Sequence, residues 1–521
     1  MRYLIAALCV FCSAHAGQAA IVSIGPNGIP VATPFTSISS AVAATGSKKV
    51  TLQLTTDYSV NTLTVPSNIT LKPVNGAVVT INTGKTLTLA AHPDLPKDRR
   101  AFAGTGTVSG LKSARPEWWG GVGDASSTAY TGTESAAALQ SAIDSAIVSG
   151  SAVDLSGGLF KVSTALSVVK SVKMVGAGQK TGILNLTATG SAAIIVDGSA
   201  SAYPYANYSV FEDFAIYGNI TTSGSGIKYM DRAAFVQFNR LFLSGNNHGI
   251  WHNAPPNSGG TARATWGSSY GATFNSVYTK ANYGKGFYDD STDNPDPGAQ
   301  FNNCIAEQNV VGIDWGSGEV IVTGGVYQAN TTGGIIFRKR GVADKVYFEE
   351  GVADYGGVAL LSLNGYGSAA TKCIFAMNGT ANIKGISYTA TSVIEGNLFS
   401  ASGSPAGNIG IYNAVALKAY SGSRVYKNLN NGATTFLDIG TAEIFYDDSS
   451  GVTHMAGLET TSTITSAGKL TVGVAATGAT NQITFVGQAS TANAANNSIF
   501  IDSATGKLTF RNGSGVSTAL Y

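Results

Sequence analysis

The chain has 521 residues, of which only 12% are charged, and its 32 Lys and Arg nearly balance its 30 Asp and Glu. Hydrophobic residues make up 44%, which excludes a disordered chain, because such chains are rich in charge and poor in apolar residues. The net charge of +2 provides no strong positive field, so we expect no nucleic-acid partner. The 64 glycines follow no three-residue period, which excludes a collagen.

Residues 1–20 are typical of a secretory signal peptide. Arg2 precedes an apolar run, and Ala14-His15-Ala16 forms a small-residue cleavage pattern. The alternative is a first core strand. No other apolar run is long enough to cross a bilayer, so we expect no membrane span after signal removal. The mature chain would keep Cys304 and Cys373, too few cysteines for a disulfide scaffold.

Residues 21–115 are predicted to form a β-rich segment. Polar and apolar residues alternate from about residue 50 to 90, and turn signals stand at Pro66-Ser67-Asn68 and Asn75-Gly76. The charged stretch 92–100, which contains two prolines, is typical of an exposed loop.

One helix is predicted over residues 133–149. Thr131 and Glu134 have the spacing of a capping box, and Gly150 is a natural end. The apolar stripe consists of Ala138, Leu139, Ala142, Ile143, Ala146 and Ile147. We expect this single amphipathic helix to cap the open end of the core that follows.

A degenerate repeat runs from about residue 205 to 415. Each unit has short strands, then Asn or Asp, then Gly followed by an apolar residue, as in FNNCIAEQNVVGIDW from Phe301. The period of about 21 to 24 residues is typical of a β-solenoid coil. A leucine-rich repeat would need Leu at fixed positions, and a propeller would need units of about 40 residues or more.

The turn positions of this repeat are Asn309, Asn330, Asp354 and Asn378, which we expect to form a hydrogen-bonded ladder. Cys304 and Cys373 each precede such a turn by the same number of residues, so they belong to one column, three coils apart. At ~4.8 Å per coil the cysteines are too distant for a disulfide. We therefore expect two free thiols.

Residues 430–521 lose the repeat but keep strand patterns with Gly turns that are typical of hairpins. Their apolar faces need a partner, so we predict a homotrimer assembled partly through this β-rich module.

Several stretches resemble the parallel β-helix proteins of the pectate lyase superfamily. RPEWWGGVGD at residues 115–124, followed by the Ala-rich helix, resembles the family's first segment, and SAVDLSGGLFKVSTAL at 151–166 resembles its first coil. The match continues at 172–184 and 211–219. The family's acidic DDT is replaced by ASSTAYTGTES, so no role of those acids transfers. NSIFIDSATGKLTF near the C-terminus resembles modules of phage tail fibres and spikes, which are usually trimeric.

The resemblance implies an all-β, right-handed parallel β-helix over residues 116–429, with one capping helix. Members of the superfamily include polysaccharide lyases, glycoside hydrolases, phage tailspikes and proteins without known activity, so it implies little about chemistry.

Candidate binding residues come from the Gly-apolar step of the repeat. The residue after this step should point outward, because the apolar residue points inward. The resulting column is Trp251, Tyr288, Asp314, Ile336 and Ala359. Trp251, Tyr288 and Asp314 would form an aromatic and acidic strip, on which sugar rings stack. The alternative is a scattered solvent face.

Candidate catalytic carboxylates are few because acids are scarce. Polysaccharide cleavage uses paired carboxylates, or a base near a cation that neutralises charge. Glu307 and Asp314 flank one turn and form the preferred pair, although they could be too far apart for one bond. Glu349 and Glu350 should point to opposite faces.

Asp289 and Asp290 open an acidic loop with Asp293 and Asp296. They are candidates for substrate binding, and Ca²⁺ is a weaker candidate than a solvated loop. The sequence contains no other cofactor or metal motif.

Two functions remain open on the sequence. The first is an exported or virion-borne β-helix that binds and cleaves a polysaccharide, as a lyase or a hydrolase. The second is a non-catalytic surface or fibre adhesin that uses the β-helix as a rigid rod. The exposed strip favours the first, and the low charge with abundant small residues favours the second.

Overall fold

The structure, a computed structural model, describes residues 21–24, 35–198, 205–230, 232–253, 270–290, 298–316, 318–350, 359–377, 383–400 and 409–413, with short segments beyond residue 424. The predicted signal peptide, residues 1–20, lies outside the described residues. The chain divides into two compact units, residues 1–456 and 457–521.

The first unit contains a parallel β-solenoid of about 12 turns, which confirms the predicted all-β class. Each coil of its main part contributes three strands, and equivalent strands of successive coils pair in parallel. We call the three stacks of strands columns 1, 2 and 3. Columns 1 and 2 belong to one 21-stranded sheet, and column 3 is an 11-stranded sheet.

Column 1 contains Gln237–Asn239, Thr273–Asn275, Ala299–Asn302, Val320–Thr323, Gly341–Asp344, Ser368–Thr371, Ser392–Glu395 and Arg424–Tyr426. Column 2 contains Phe242–Ser244, Tyr278–Lys280, Ile305–Glu307, Val326–Gln328, Tyr347–Glu350, Ile374–Met377, Leu398–Ser400 and Leu429–Asn431. The same sheet begins with Ser113–Ala114, Ala152–Asp154, Leu159–Val162, Lys173–Asn185 and Val210–Gly218. Column 3 contains Leu166–Val168, Ala192–Val196, Ser225–Tyr229, Ile250–His252, Lys285–Asp289, Val311–Trp315, Gly333–Phe337, Ala359–Leu363, Lys384–Tyr388, Ile409–Asn413 and Thr435–Asp438.

Stacked aromatic rings fill the core of the first three coils of column 1. Phe238 lies 4.9 Å from Phe274, and Phe274 lies 4.3 Å from Phe301, in each case between ring centroids. All three side chains are fully buried. Because parallel coils repeat at about the thickness of such a stack, one ring per coil gives a continuous apolar core.

An asparagine ladder closes the corner between columns 2 and 3. The Nδ2 of Asn282 donates to Oδ1 of Asn309 at 2.8 Å, and the Nδ2 of Asn309 donates to Oδ1 of Asn330 at 3.3 Å. The ladder begins earlier, because Asn185 donates to Asn246 at 2.9 Å. The ladder prediction is thus confirmed at positions 309 and 330, whereas positions 354 and 378 lie outside the described residues.

The glycine of the repeat has a steric reason. A Cβ on Gly312 would lie 2.4 Å from the carbonyl oxygen of Gly334 in the next coil, and one on Gly286 would lie 2.4 Å from Oγ1 of Thr279. Column 3 therefore has room only for a hydrogen at most of these positions. The apolar residue that follows, such as Ile313, is fully buried, as the repeat predicted.

The predicted helix exists, with corrections to its start and its position. Helix α2 spans Ala136–Ser149 and its N-cap is Ser135, so the predicted capping box is wrong. It ends at Gly150, as predicted, with a φ of +63°. The helix contacts Thr107–Ser109 before it and Leu166–Val168 after it, so it does not cap an open end. It packs between coils on both sides.

The coils that precede helix α2 were not predicted from the sequence, and neither was a short helix α1 (Ile38–Thr45). The parallel strands are Val50–Leu54, Tyr58–Val60, Leu63–Val65, Ile69–Pro73, Val79–Ile81, Thr86–Leu89, Phe102–Ala103 and Thr107–Ser109. Ile21–Ile24 pairs antiparallel with the first of them, and Pro116–Trp119 forms a 3-10 turn. The β-rich character of residues 21–115 is therefore that of a solenoid.

The described strands that follow Thr435–Asp438 in the chain are short. Tyr446–Asp447 pairs antiparallel with Thr453–His454. In the second unit, Gln488–Ala489, Ser498–Asp502, Leu508–Arg511 and Ser517–Ala519 form a four-stranded sheet. The last three strands pair antiparallel, in line with the predicted hairpins. Most of residues 430–521 lie outside the described residues, and the homotrimer stays a prediction.

Among the described residues, no helix combines the length and the apolar character needed to cross a bilayer.

Candidate functional site

The predicted strip occupies one register position on the outer face of column 3. Trp251 pairs with Tyr288, Tyr288 pairs with Asp314, and Asp314 pairs with Ile336. The fifth predicted member is wrong, because Ile336 pairs with Ser362 rather than with Ala359. The row also extends in the other direction.

Lys228 occupies this position one coil before Trp251. It follows Gly226 and Ile227, so the same Gly-apolar step could have identified it from the sequence. We call Lys228, Trp251, Tyr288 and Asp314 the column-3 strip. Two further cations, Lys285 and Arg338, lie beside it, and sequence reasoning missed both.

Cations lie over both aromatic rings of the strip. The Nζ of Lys228 is 4.1 Å from the centre of the Trp251 ring, and the Nζ of Lys285 is 3.7 Å from the centre of the Tyr288 ring. The two rings are nearly parallel, at 21°, with centroids 6.4 Å apart. Ammonium groups interact favourably with ring faces, so these contacts stabilise the unliganded strip.

Asp314 lies beneath two cations. Its Oδ2 accepts from Nη2 of Arg338 and forms an ion pair with Nζ of Lys285, each at 2.6 Å. Only 4% of its side chain is exposed, against 39% for Arg338. Asp314 points outward, as predicted, but the two cations cover its carboxylate. Asp314 holds Lys285 and Arg338 in place around Tyr288.

His248 packs against the strip as a neutral side chain. Its ring centroid is 4.6 Å from that of Tyr288, and its Nδ1 accepts from the backbone N–H of Lys285 at 3.0 Å. Burial, with a smaller effect of Lys285, lowers the pKa of His248 to about 4. Near neutral pH its Nε2 therefore carries the proton, and the ring presents a donor rather than a base.

Asp289 is not a surface residue. It is fully buried, and its Oδ1 lies 3.0 Å from Nδ1 of His252, which is also fully buried. The predicted substrate-binding role would require an exposed carboxylate, and alternation along the strand turns this residue inward instead.

Asp290 remains near the surface as predicted, but it is already hydrogen-bonded. Both of its oxygens accept from Nδ2 of Asn253, at 3.0 and 2.8 Å. Its charge also reaches the strip, because it raises the pKa of Tyr288, after burial, which is the larger cause.

Glu307 lies on the outer face of column 2, away from Asp314 on column 3. It accepts a hydrogen bond from the hydroxyl of Tyr278, and Nζ of Lys280 lies 3.3 Å from its Oε1. Burial raises the pKa of Glu307, but these hydrogen bonds outweigh it, so the net pKa is lower than usual. The predicted catalytic pair is therefore divided between two columns, each member with its own partners.

Glu349 follows Glu307 by two coils on column 2, where Tyr347 donates to it at 3.3 Å. The side chain of Glu350 lies outside the described residues, as do Asp293 and Asp296 of the acidic loop. The described part of the chain contains no group of three or more His, Cys, Asp or Glu side chains able to hold a metal. The described residues therefore do not support the Ca²⁺ hypothesis.

No protein-family model and no curated protein matches the chain. Similar solved structures include ORF18 of Geobacillus virus E2, at 14% identity and a TM-score of 0.36, with 79% of this chain and 86% of that chain covered. The A-module of mannuronan C-5 epimerase AlgE6 from Azotobacter vinelandii has 15% identity and a TM-score of 0.42, over 61% and 100% of the chains. The gp42 tailspike of an Acinetobacter phage has 13% identity and a TM-score of 0.38, over 75% and 70%. What this chain binds must be inferred from its own side chains.

Proposed function

We propose that this protein binds a polysaccharide along the outer face of column 3. The observation that carries the proposal is the unbroken register of Lys228, Trp251, Tyr288 and Asp314 across four successive coils. Coils repeat every ~4.8 Å, so the strip offers a repeating set of ring edges and polar groups to a ligand that itself repeats. An extracellular or virion-borne location would suit such a ligand and remains a prediction.

Binding is better supported than cleavage. Hydrolysis needs two carboxylates that flank one glycosidic bond, at most about 9.5 Å apart. Glu307 and Asp314 lie on different columns, and Asp314 is covered by Lys285 and Arg338. Cleavage by this pair therefore remains a prediction, and the rigid adhesive rod is the alternative outcome.

The test is binding of a panel of neutral and acidic bacterial polysaccharides to the full chain and to the double variant Trp251→Ala/Tyr288→Ala. We expect the variant to bind at least about tenfold more weakly, since aromatic anchors contribute most to such sites. The matched control is Tyr208→Ala/Phe235→Ala. It removes another stacked pair, with centroids 5.1 Å apart and both rings exposed, outside the strip, where Phe235 comes just before the column-1 strand Gln237–Asn239.

Unchanged circular dichroism in both variants would show that the fold is intact. Equal binding by the double variant and the parent would refute the role of this face. New reducing ends, or the absorbance of unsaturated uronates, would establish cleavage in the same samples, and binding without either would establish the rod.

A further inference from the structure

The faces of the strip's aromatic rings are partly occupied. Lys228 lies over Trp251 and Lys285 lies over Tyr288, at 4.1 and 3.7 Å from the ring centres. A sugar ring that stacked on either of these faces would have to displace an ammonium group. The strip therefore presents positive charge held by aromatic rings, rather than bare ring faces.

Lys228 in the strip and the neighbouring Lys285 and Arg338 differ in whether a carboxylate neutralises them. Lys285 and Arg338 share the Oδ2 of Asp314, each at 2.6 Å. Lys228 has no carboxylate within ion-pair distance among the residues that the structure describes. Its ammonium group is thus the one cation of the strip that is available to a ligand without breaking an ion pair.

Two acidic residues, Asp197 and Asp290, act on Lys228 only through space. Asp197 and Asp290 raise the pKa of Lys228, but burial, the larger effect, lowers it overall. Asp290 is turned to Asn253, which it binds through both carboxylate oxygens. A partly buried ammonium that lacks a direct counter-ion is stabilised when an anion reaches it.

We infer that the ligand is an acidic polysaccharide and that Lys228 is the specificity-determining residue, binding one anionic group of the chain through Nζ. The inference rests on the proposed binding at the column-3 strip. The anionic group is a carboxylate or a sulfate ester, which share the charge and the acceptor oxygens that an ammonium recognises. Trp251 fixes the position of this ammonium from below, and Tyr288 with Lys285 continues the charged surface one coil further.

The test measures binding of three polysaccharides at moderate salt: polygalacturonate, dextran sulfate and unmodified dextran. We expect the parent to bind at least one acidic chain and to bind dextran at least about tenfold more weakly. Tighter binding of polygalacturonate would identify a carboxylate as the recognised group, and tighter binding of dextran sulfate would identify a sulfate ester.

Lys228→Gln should weaken acidic binding about tenfold, whereas Lys228→Arg should restore at least half of the binding free energy lost. The matched control is Lys280→Gln, which removes an equal charge from column 2, where Lys280 pairs with Glu307 at 3.3 Å. If overall charge alone held the polysaccharide, Lys228→Gln and Lys280→Gln would weaken binding equally.

Equal losses in Lys228→Gln and Lys280→Gln, or no loss in Lys228→Gln, would overturn the role of Lys228. Equal binding of dextran and the acidic chains, lost in Trp251→Ala/Tyr288→Ala, would overturn the acidic ligand and leave the binding function intact. Absence of binding to every polysaccharide would refute both. A thermal unfolding midpoint close to that of the parent would show that each variant is folded, so that a loss of binding is not caused by unfolding.

Discussion

Cys304 and Cys373 occupy the same position in two coils that lie three steps apart. The backbone connects them through equivalent hydrogen bonds, from Val326 to the carbonyl of Cys304, from Tyr347 to that of Gly325, and from Ile374 to that of Val346. At ~4.8 Å per coil their separation is about 14 Å, well beyond the reach of a disulfide. Both thiols are free and buried, which confirms the sequence prediction.

These two thiols should be unreactive in the folded protein. Burial raises the pKa of Cys304 and of Cys373 to about 12 in each case, so almost no thiolate exists at neutral pH. We expect no alkylation of Cys304 and Cys373 by iodoacetamide under native conditions, and modification of both in the denatured protein, located by mass spectrometry. Rapid modification of the native protein would contradict the burial.

Helix α2 should be essential for stability. Leu139 is fully buried between the coils on either side, so Leu139→Asp should cost several kcal/mol of unfolding free energy. Val148 lies on the same helix but is 50% exposed, and Val148→Asp should change stability by less than about 0.5 kcal/mol. Denaturant unfolding compares the two. Equal effects would show that Leu139 does not pack into the core between these coils.

The buried asparagine ladder should contribute more to stability than the partly buried amides on the outer face of column 1. Asn309 accepts from Asn282 and donates to Asn330 and to the carbonyl of Thr279, all buried. Asn309→Ala should therefore cost about 3 kcal/mol, because it leaves several buried groups unpaired.

The control for the ladder is Asn302→Ala. Asn302 donates to Asn275 at 2.9 Å on the outer face of column 1, where water can replace the lost bond. We expect a loss of about 1 kcal/mol or less, measured by the same unfolding experiment. A ladder variant as stable as this control would contradict a structural role for the buried amides.

Stability should fall in mild acid because of His248. Its pKa in the folded protein is about 4, below the ordinary value of 6.5, so the unfolded chain takes up the proton first. The stabilisation is therefore complete above about pH 6.5 and is lost as the pH falls toward 4. At pH 5 the loss amounts to about 2 kcal/mol.

The variant His248→Gln separates this effect from the other titrating groups. Its unfolding free energy should fall about 2 kcal/mol less than that of the parent between pH 7 and pH 5. Parallel pH profiles for parent and variant, measured by urea unfolding, would show that His248 is not the group responsible.

The sequence repeat predicted much of the strand register, because local steric room and burial decide which type of residue stands at each position. Gly312 stands where the neighbouring coil leaves no room for a Cβ, and Ile313 must be buried after it, so Asp314 points outward. The same reasoning aligned Trp251 with Tyr288. It failed at Ala359, where Leu360 replaces the glycine and shifts the recognisable step.

The sequence by itself determined the parallel solenoid, the corner asparagines and the outward row on column 3, because these depend on alternation, spacing and the size of one side chain. Only the tertiary structure decided which charges meet. Asp314 pairs with Lys285 from the preceding coil and with Arg338 from the next, whereas Glu307 on column 2 contacts Tyr278 and Lys280 of that column. Long, flexible side chains reach across coils in directions that no period in the sequence records. A repeat therefore predicts where a residue stands but not which partner it binds.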